Sequence, residues 1–389
     1  MKVLIYTDIH IDKNFFKNPL LTKIENYRVR RFLLETLEKT KPDLQLFLGD
    51  MFNVVDNIDI VPYIRMRQFL EGKNEEKGLV DFSNIYMIPG NHDFLSMKSP
   101  FNLLDTLNNV SSREKGYTIT VFKNNSIKVL PIIDIDSTFV FVPYIHEAET
   151  LKTTLLSLKE KMKTFSTKNI FIFGHFGITE YAEFFKRGET NGVISTRDLG
   201  KYFLEKTTRM YLGHFHARKS LLNNKIQVIG NTHCHSFSDI EDLDRGALLL
   251  DIKGDGTFTE EYINNPYSPL YIKTHYQDLI NYKGKYSNKD RAVFLEVLAS
   301  QKDPLKNILK ENEWILSSFD HYRIRDNSGE ERFLKLKDFD FDLNNYSGLD
   351  IMQSFKEFLL KEKDRVGVSE EDISVIATIL KHIKNEDEE

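Results

Sequence analysis

The amino-acid sequence predicts an α/β fold followed by a smaller α+β domain, and three observations carry that expectation. Short apolar runs of strand length alternate with helix-periodic segments from residue 1 to about residue 257. Several of those runs stop at a Gly, Asp, His or Asn, residues suited to sharp turns at strand ends. Beyond residue 257 the pattern changes to three strands around one helix and then to two amphipathic helical segments.

The elements follow in order. Val3–Thr7 is a short apolar strand that delivers Asp8-Ile9-His10. In an extended backbone Asp8 and His10 project to one side, roughly 6.5 Å apart. Ile24–Thr40 is helical, with Tyr27, Phe32, Leu33 and Leu37 on one stripe, and Leu44–Leu48 is a buried strand ending in Gly49-Asp50. Ile60–Leu70 has helical periodicity, and Ile85–Ile88 is a strand closed by Pro89 and the turn Gly90-Asn91-His92-Asp93. After a helical stretch near Pro100–Leu107, strands at Tyr117–Phe122, Ser126–Pro131 and Thr138–Pro143 read as a meander at the back of a sheet. Glu147–Phe165 is a charged amphipathic helix. Asn169–Phe173 is a strand ending in Gly174-His175, and Met210–Leu212 ends in Gly213-His214-Phe215-His216. Gln227–Ile229 and Ala247–Asp251 complete this part as strands.

The second part has strands at Ser268–Lys273, Ala292–Leu298 and Ile315–Ile324, with a helix near Pro304–Glu313. The expected division is a first domain over 1–257, a small domain over 258–337, a linker at 338–348 and a helical segment over 349–389. That last segment comprises Leu349–Asp364 and Ser369–Ile383, the second opening on Ser369-Glu370-Glu371-Asp372, which resembles a capping box with Asp in place of Glu or Gln.

Composition narrows the function classes. Hydrophobic residues make up 41% of the 389, enough for a full core. The net charge of −5 excludes a surface that grips nucleic acid all round, so any phosphate contact must be local. A single cysteine, Cys234, excludes an intrachain disulfide and a thiolate metal cluster. No run approaches the roughly 18 apolar residues of a membrane span, and the N-terminus lacks a signal-peptide pattern, so a soluble, cytoplasmic protein is expected.

Five of the 11 histidines sit in the strand-end groups, which together offer Asp8, His10, Asp50, Asn91, His92, Asp93, His175, His214 and His216. Alone, each group is an ordinary polar turn; together, at successive strand ends, they read as one site. Carboxylates, imidazoles and an amide oxygen without sulfur suit manganese, iron or zinc better than calcium. Even without His92 and Asp93, the seven that remain exceed the ligands of one ion of ordinary geometry. Two ions about 3.5–4 Å apart, bridged by a carboxylate, fit the count and form a clamp for in-line displacement at phosphorus.

The order Asp-x-His, Gly-Asp, Gly-Asn-His-Asp, Gly-His, Gly-His-x-His over roughly residues 1–252 resembles the calcineurin-like binuclear metallophosphoesterases. The resemblance implies a four-layer α/β/β/α core. It also implies that Asp8, His10, Asp50 and His216 hold one ion and that Asp50, Asn91, His175 and His214 hold the other, with Asp50 bridging. His92 would protonate the leaving oxygen or steady the phosphate, and Asp93 would orient or polarise His92.

Within that superfamily the protein phosphatases carry Gly-Asp-x-x-Asp-Arg-Gly and Gly-Asn-His-Glu, the Arg gripping phosphate. Here the stretches read Gly49-Asp50-Met51-Phe52-Asn53-Val54-Val55 and Gly90-Asn91-His92-Asp93. They are more similar to the SbcD nuclease family, whose layout adds a small capping domain and a helix pair that docks on an SbcC-type SMC-like ATPase. That likeness implies a double-strand DNA exonuclease, with single-strand endonuclease activity as a further expectation, acting in repair and recombination. It implies two divalent ions, manganese first with magnesium, iron or zinc as alternatives, and a homodimer within a heterotetramer. Docking would use the helix faces Ile351, Phe355, Phe358, Leu359 and Ile373, Ile376, Leu380. One position departs from the pattern: Asn53 stands where many such nucleases have a His, and an amide can hydrogen-bond phosphate but cannot shuttle a proton. Two alternatives remain open, a small-molecule or cyclic-nucleotide phosphodiesterase and a non-catalytic scaffold of the same fold. His233-Cys234-His235 reads as structural, and Arg28-Val29-Arg30-Arg31 as a solvated helix face.

Overall fold

In the computed structural model, the residues described are 1–326 apart from 12–18, 54–59, 75–77, 80–82, 95–101, 109–110, 113–115, 123–125, 185–190, 240–243, 283–290, 300–311, 313–314 and 317–318. The opening strand β1 (Lys2–Tyr6) leads to α1 (Pro19–Thr40), β2 (Leu44–Leu48), α2 (Ile60–Leu70) and β3 (Asn84–Ile88). Helix α1 begins five residues before the expected Ile24, with Pro19 in its first turn, where the missing N–H costs nothing. The short edge strand β4 (Ser111–Ser112) pairs with β5 (Tyr117–Val121). Next come β6 (Lys128–Ile132), β7 (Ser137–Val142), α3 (Ala148–Met162), β8 (Asn169–His175), α4 (Thr179–Phe184), α5 (Thr196–Lys206) and β9 (Arg209–Gly213). Strands β10 (Lys219–Leu221), β11 (Ile226–Val228), β12 (Gly246–Ile252) and β13 (Phe258–Asn264) follow.

These strands form two sheets. The first has the order β13-β12-β1-β2-β3-β5-β4, in which β1, β2, β3 and β5 run parallel. The second has the order β10-β11-β9-β8-β7-β6, in which β7, β8, β9 and β11 run parallel. Strand alternation sorts the side chains into three cores. Val3 and Ile5 of β1, Leu44 and Leu46 of β2, Phe171 and Phe173 of β8 and Tyr211 of β9 meet between the sheets. Leu4 and Tyr6 point the other way, onto Phe32, Leu33 and Leu37 of α1 and Phe69 of α2. Ile170 and Ile172 point outward onto Leu151, Leu155 and Leu158 of α3 and Phe203 of α5. The result is an α/β/β/α stack of four layers.

Three features depart from expectation. The stretch near Pro100–Leu107 is a 3₁₀ turn at Leu103–Leu107 rather than an α-helix. The expected meander is split: β5 joins the first sheet, whereas β6 and β7 lie in the second. Pro131 sits in β6, the outermost strand of its sheet, where a residue without an N–H breaks no ladder. The third strand of the small part is β16 (His321–Asp326), not Ile315–Ile324; Ile315 and Leu316 are helical.

With β14 (Leu270–His275) and β15 (Val293–Ala299), β16 makes an all-parallel three-stranded sheet. Tyr271 and Phe294 on one face pack on Cys234 and Phe237. On the same face the buried Glu296 carboxylate is met by Lys273, Arg323 and Arg325 at 3.1, 2.6 and 3.1 Å. The first sheet runs on through β13, so the β12–β13 hairpin straddles residue 257, where the sequence places a domain boundary. Met1–Asn327 form one compact unit. Most of the expected helix at Pro304–Glu313, the linker at 338–348 and the segment 349–389, with Ile351, Phe355, Phe358, Leu359, Ile373, Ile376 and Leu380, lie outside the described residues. Among the described residues, no helix is long and apolar enough to cross a membrane.

Candidate metal centre

Parallel pairing brings strand C-terminal ends to one edge, the usual place for a site in such sheets. Asp8 follows β1, Asp50 follows β2, Asn91 follows β3, His175 ends β8 and His214 follows β9. The local backbone is unusual. Asp8, His10, Asp50 and His214 have φ of 48, 49, 51 and 83°, in the left-handed region that non-glycine residues rarely enter. Main-chain bonds from Asp8 N to the Gly49 carbonyl (3.1 Å) and from His10 N to the Asp50 carbonyl (2.9 Å) lock the first two turns together. The glycines before the ligands are there for space. A β-carbon at Gly49 would lie 2.3 Å from His175 Nδ1, at Gly90 2.2 Å from Asp50 Oδ1, and at Gly213 2.1 Å from Thr7 Oγ1.

The side chains gather about two poles that share Asp50. At the first, His10 Nε2 and His216 Nε2 are 3.2 Å apart, Asp8 Oδ1 is 4.0 Å from His216 Nε2, and Asp50 Oδ2 is 3.8 Å from His10 Nε2. At the second, Asp50 Oδ2 is 3.4 Å from His175 Nε2, and Asn91 Oδ1 lies 3.2 Å from His175 Nε2 and 3.0 Å from His214 Nδ1. One oxygen of Asp50 therefore faces both poles, while its other oxygen accepts the His92 N–H at 2.8 Å.

Metal ions fit this donor set. Asp8 Oδ1 is buried with no hydrogen-bond partner among the described residues, an arrangement that calls for a cation. Its other oxygen is occupied, accepting from Thr7 Oγ1 (2.6 Å) and His214 N (3.0 Å). The Nδ1–H of His175 donates to the Leu48 carbonyl at 2.6 Å, which leaves Nε2 a lone pair for a ligand. Ligand atoms of Asp8, His10 and His216, of His10, Asp50 and His92, and of Asp8, Asp50 and His175 each lie within 4.8 Å of one another.

Burial and charge oppose each other throughout. Burial would raise the Asp50 carboxyl, but the His175, His92 and His10 imidazoles outweigh it and hold Asp50 well below the usual carboxylate range. Burial pulls His175 down, yet the Asp50 carboxylate raises it to about 9. For His10 burial prevails, and its imidazole is lowered well below the usual value. Burial and the neighbouring Asp50 raise Asp93 to about 7.

All seven expected ligands come together, and His92 lies beside them with its ring 4.8 Å from that of His10. By geometry alone His92 is within reach of the first pole; only the resemblance places it on phosphate. Asp93 is held by the main chain. Its carboxylate accepts the main-chain N–H groups of Asp50 (2.8 Å), Phe52 (3.0 Å) and Gly90 (2.9 Å), so it ties the Asp50 and Asn91 turns together. Asn53 is joined to the site by its main chain, donating to the Ile11 carbonyl at 3.1 Å.

Two further groups were not legible. Asp239, 23 residues beyond His216, accepts from His216 Nδ1 at 3.0 Å; burial would raise its carboxyl, and His216 and Arg245 hold it low. Arg28 is no solvated face: it is buried and paired with Glu25, which in turn binds His233 Nε2 at 2.8 Å. His235 Nε2 lies 3.2 Å from the Asp8 carbonyl, so both histidines of His233-Cys234-His235 are engaged structurally.

The calcineurin-like phosphoesterase family matches residues 1–237, more than half of the chain. The chain belongs to that family, whose members hydrolyse phosphoesters with paired divalent metal ions. No curated protein matches it. Among solved structures it is similar to GAP50, the anchor in the inner membrane complex of Plasmodium, with a TM-score of 0.44 and 9% identity over 85% of this chain and 98% of that one. It is also similar to the phosphopantetheinyl hydrolase of Mycobacterium tuberculosis, with a TM-score of 0.32 and 10% identity over 59% of this chain and 89% of that one.

Proposed function

We propose that this phosphoesterase is a manganese-dependent DNA nuclease of the SbcD type, cleaving double-stranded DNA together with an SbcC-type ATPase. The observation that carries the reading is the double cluster about Asp50 joined to a Gly49-Asp50 stretch without an arginine. The residues after Asp50 are Met51 and Phe52, both buried, and the sequence over 51–59 holds no Lys or Arg to grip a phosphate monoester. A phosphodiester carries one charge fewer than a monoester and asks for less cationic grip.

Asp8, His10, Asp50 and His216 would hold one ion and Asp50, Asn91, His175 and His214 the other. When bound, such a pair supplies charge neutralisation at phosphorus and a nucleophile at neutral pH. His92, half-buried, donates a proton to the departing sugar oxygen, and its main-chain N–H keeps Asp50 Oδ1 turned away from the poles. Asp93 fixes the separation of the two turns that carry Asp50 and Asn91. Asn53 replaces a proton-transferring His with a hydrogen-bonding amide, which leaves proton transfer to His92 alone. The apolar positions of 351–359 and 373–380, which the sequence expects on helix faces, are the proposed ATPase contact, and the proposed working assembly is two copies of each chain.

The test uses linear duplex DNA and p-nitrophenyl phosphate, each with manganese. Wild type is expected to degrade the DNA and leave the monoester largely intact; the reverse preference contradicts the proposal. His92→Asn is expected to lower cleavage about 10²–10⁴-fold, the usual worth of a general acid, with manganese binding unchanged.

A further inference from the structure

We infer that Asp239 is a positioning residue that fixes the His216 imidazole with Nε2 aimed at the first pole. The inference rests on the reading of His216 as a metal ligand. His216 needs such a device. It lies beyond the end of β9 in a loop, and its side chain remains 24% exposed, whereas that of Asp8 is 0% exposed. An imidazole held only by its ligand atom can turn over and present either nitrogen.

Asp239 removes that freedom and is itself held on every side. It stands in the 3₁₀ turn Phe237–Asp239, 2% exposed. Its Oδ1 takes the His216 Nδ1–H at 3.0 Å, and its Oδ2 accepts the main-chain N–H groups of His235 (2.9 Å) and Ser236 (3.1 Å). Its own carbonyl accepts from Arg245 Nη2 at 2.6 Å. Arg245, 1% exposed, also donates through Nη1 to the His216 carbonyl, which accepts the Asn231 N–H at 3.0 Å as well. Asp239 thus fixes the ring of His216 while Arg245 and Asn231 fix its main chain.

The chemical consequence follows from where the proton is. With Nδ1–H committed to the carboxylate, the lone pair is on Nε2, the atom 3.2 Å from His10 Nε2 and facing Asp8 Oδ1. The negative charge behind the ring also makes Nε2 a stronger donor. Carboxylates in this position are typically worth about 10–100-fold in metal affinity. Asn in place of Asp239 cannot reproduce this. With its oxygen toward His216, its NH2 meets the His235 and Ser236 N–H groups; turned over, its NH2 faces Nδ1 and favours the wrong tautomer.

The experiment titrates manganese into the full chain by calorimetry. Wild type is expected to bind two ions, and Asp239→Asn to bind one of them about 10–100-fold more weakly with the other unchanged. In a His216→Ala background, Asp239→Asn is expected to add no further loss, because the residue acts only through that ring. Unchanged affinities in the single variant, or an additive loss in the double, overturn the inference. Long-range ¹⁵N–¹H spectra of ¹⁵N-histidine-labelled wild type, metal-free and with zinc, do not depend on a variant folding. They should show His216 protonated at Nδ1 and bare at Nε2, and a proton on Nε2 overturns the inference. Wild type that binds no ion sinks the ligand reading and this inference with it. Two bound ions with the wrong tautomer sink only the inference.

Discussion

Asp50 meets three demands at once: one oxygen faces both poles, the other holds the His92 main chain, and its backbone is left-handed at φ 51°. Removing the shared ligand differs from removing one on either side. Asp50→Ala is expected to weaken both manganese ions and His175→Ala only one, measured by calorimetric titration. The convergence of the seven candidate ligands was legible because each stands at or just beyond a strand end, most beside a glycine that the packing requires. The support behind them was not. Asp239 carries no motif and joins His216 through tertiary packing alone, and Asp93 turns toward main-chain N–H groups that no spacing rule identifies. Cys234 is a residue whose bland reading has a measurable consequence. Burial pushes its thiol well above the usual thiol range, so it should resist a disulfide-exchange reagent at neutral pH until the protein unfolds. Rapid labelling of the native protein would contradict that.

At the scale of elements, strands were legible wherever an apolar run ended in a turn residue, and β2 and α2 have the expected bounds. Which sheet a strand joins was not legible. Alternation along Tyr117–Val121 and Lys128–Ile132 is the same whether the next strand pairs beside it or crosses to another layer. The burial of Arg28 was hidden similarly, because its partner Glu25 is held by His233 from another part of the chain. The strand-end glycines make the sharpest prediction here. A β-carbon at Gly213 would press on Thr7 Oγ1, on the Leu48 carbonyl at 2.7 Å and on Asp8 Oδ2 at 3.0 Å. Gly213→Ala should cost about 1–3 kcal/mol in urea unfolding, the range for overpacking, and weaken manganese binding as Asp8 is displaced. Gly116→Ala provides the contrast, since nothing lies within 4 Å and only its φ of +72° opposes the change.

At the scale of the whole molecule, the two facing sheets bring strand ends from distant parts of the chain to one edge, so folding and site assembly are one event. Ligands that bind only the folded state stabilise it by mass action. Manganese at 100 times its Kd should therefore add about 2.7 kcal/mol per site, and chelation should remove it. Under the proposed nuclease reading, the acidic balance of −5 over 389 residues leaves grip on DNA to a partner or to a local patch. Deleting residues 349–389 should abolish association with an SbcC-type ATPase while leaving the metal content unchanged; retained association would remove the docking proposal. A pair of ions sharing Asp50 underlies the proposed chemistry, and electron paramagnetic resonance of the manganese-loaded protein would detect it. Wild type is expected to show a spin-coupled pair, about 3.5–4 Å apart, that Asp50→Ala abolishes. Isolated manganese signals in wild type, or a coupled pair that survives in Asp50→Ala, would contradict it.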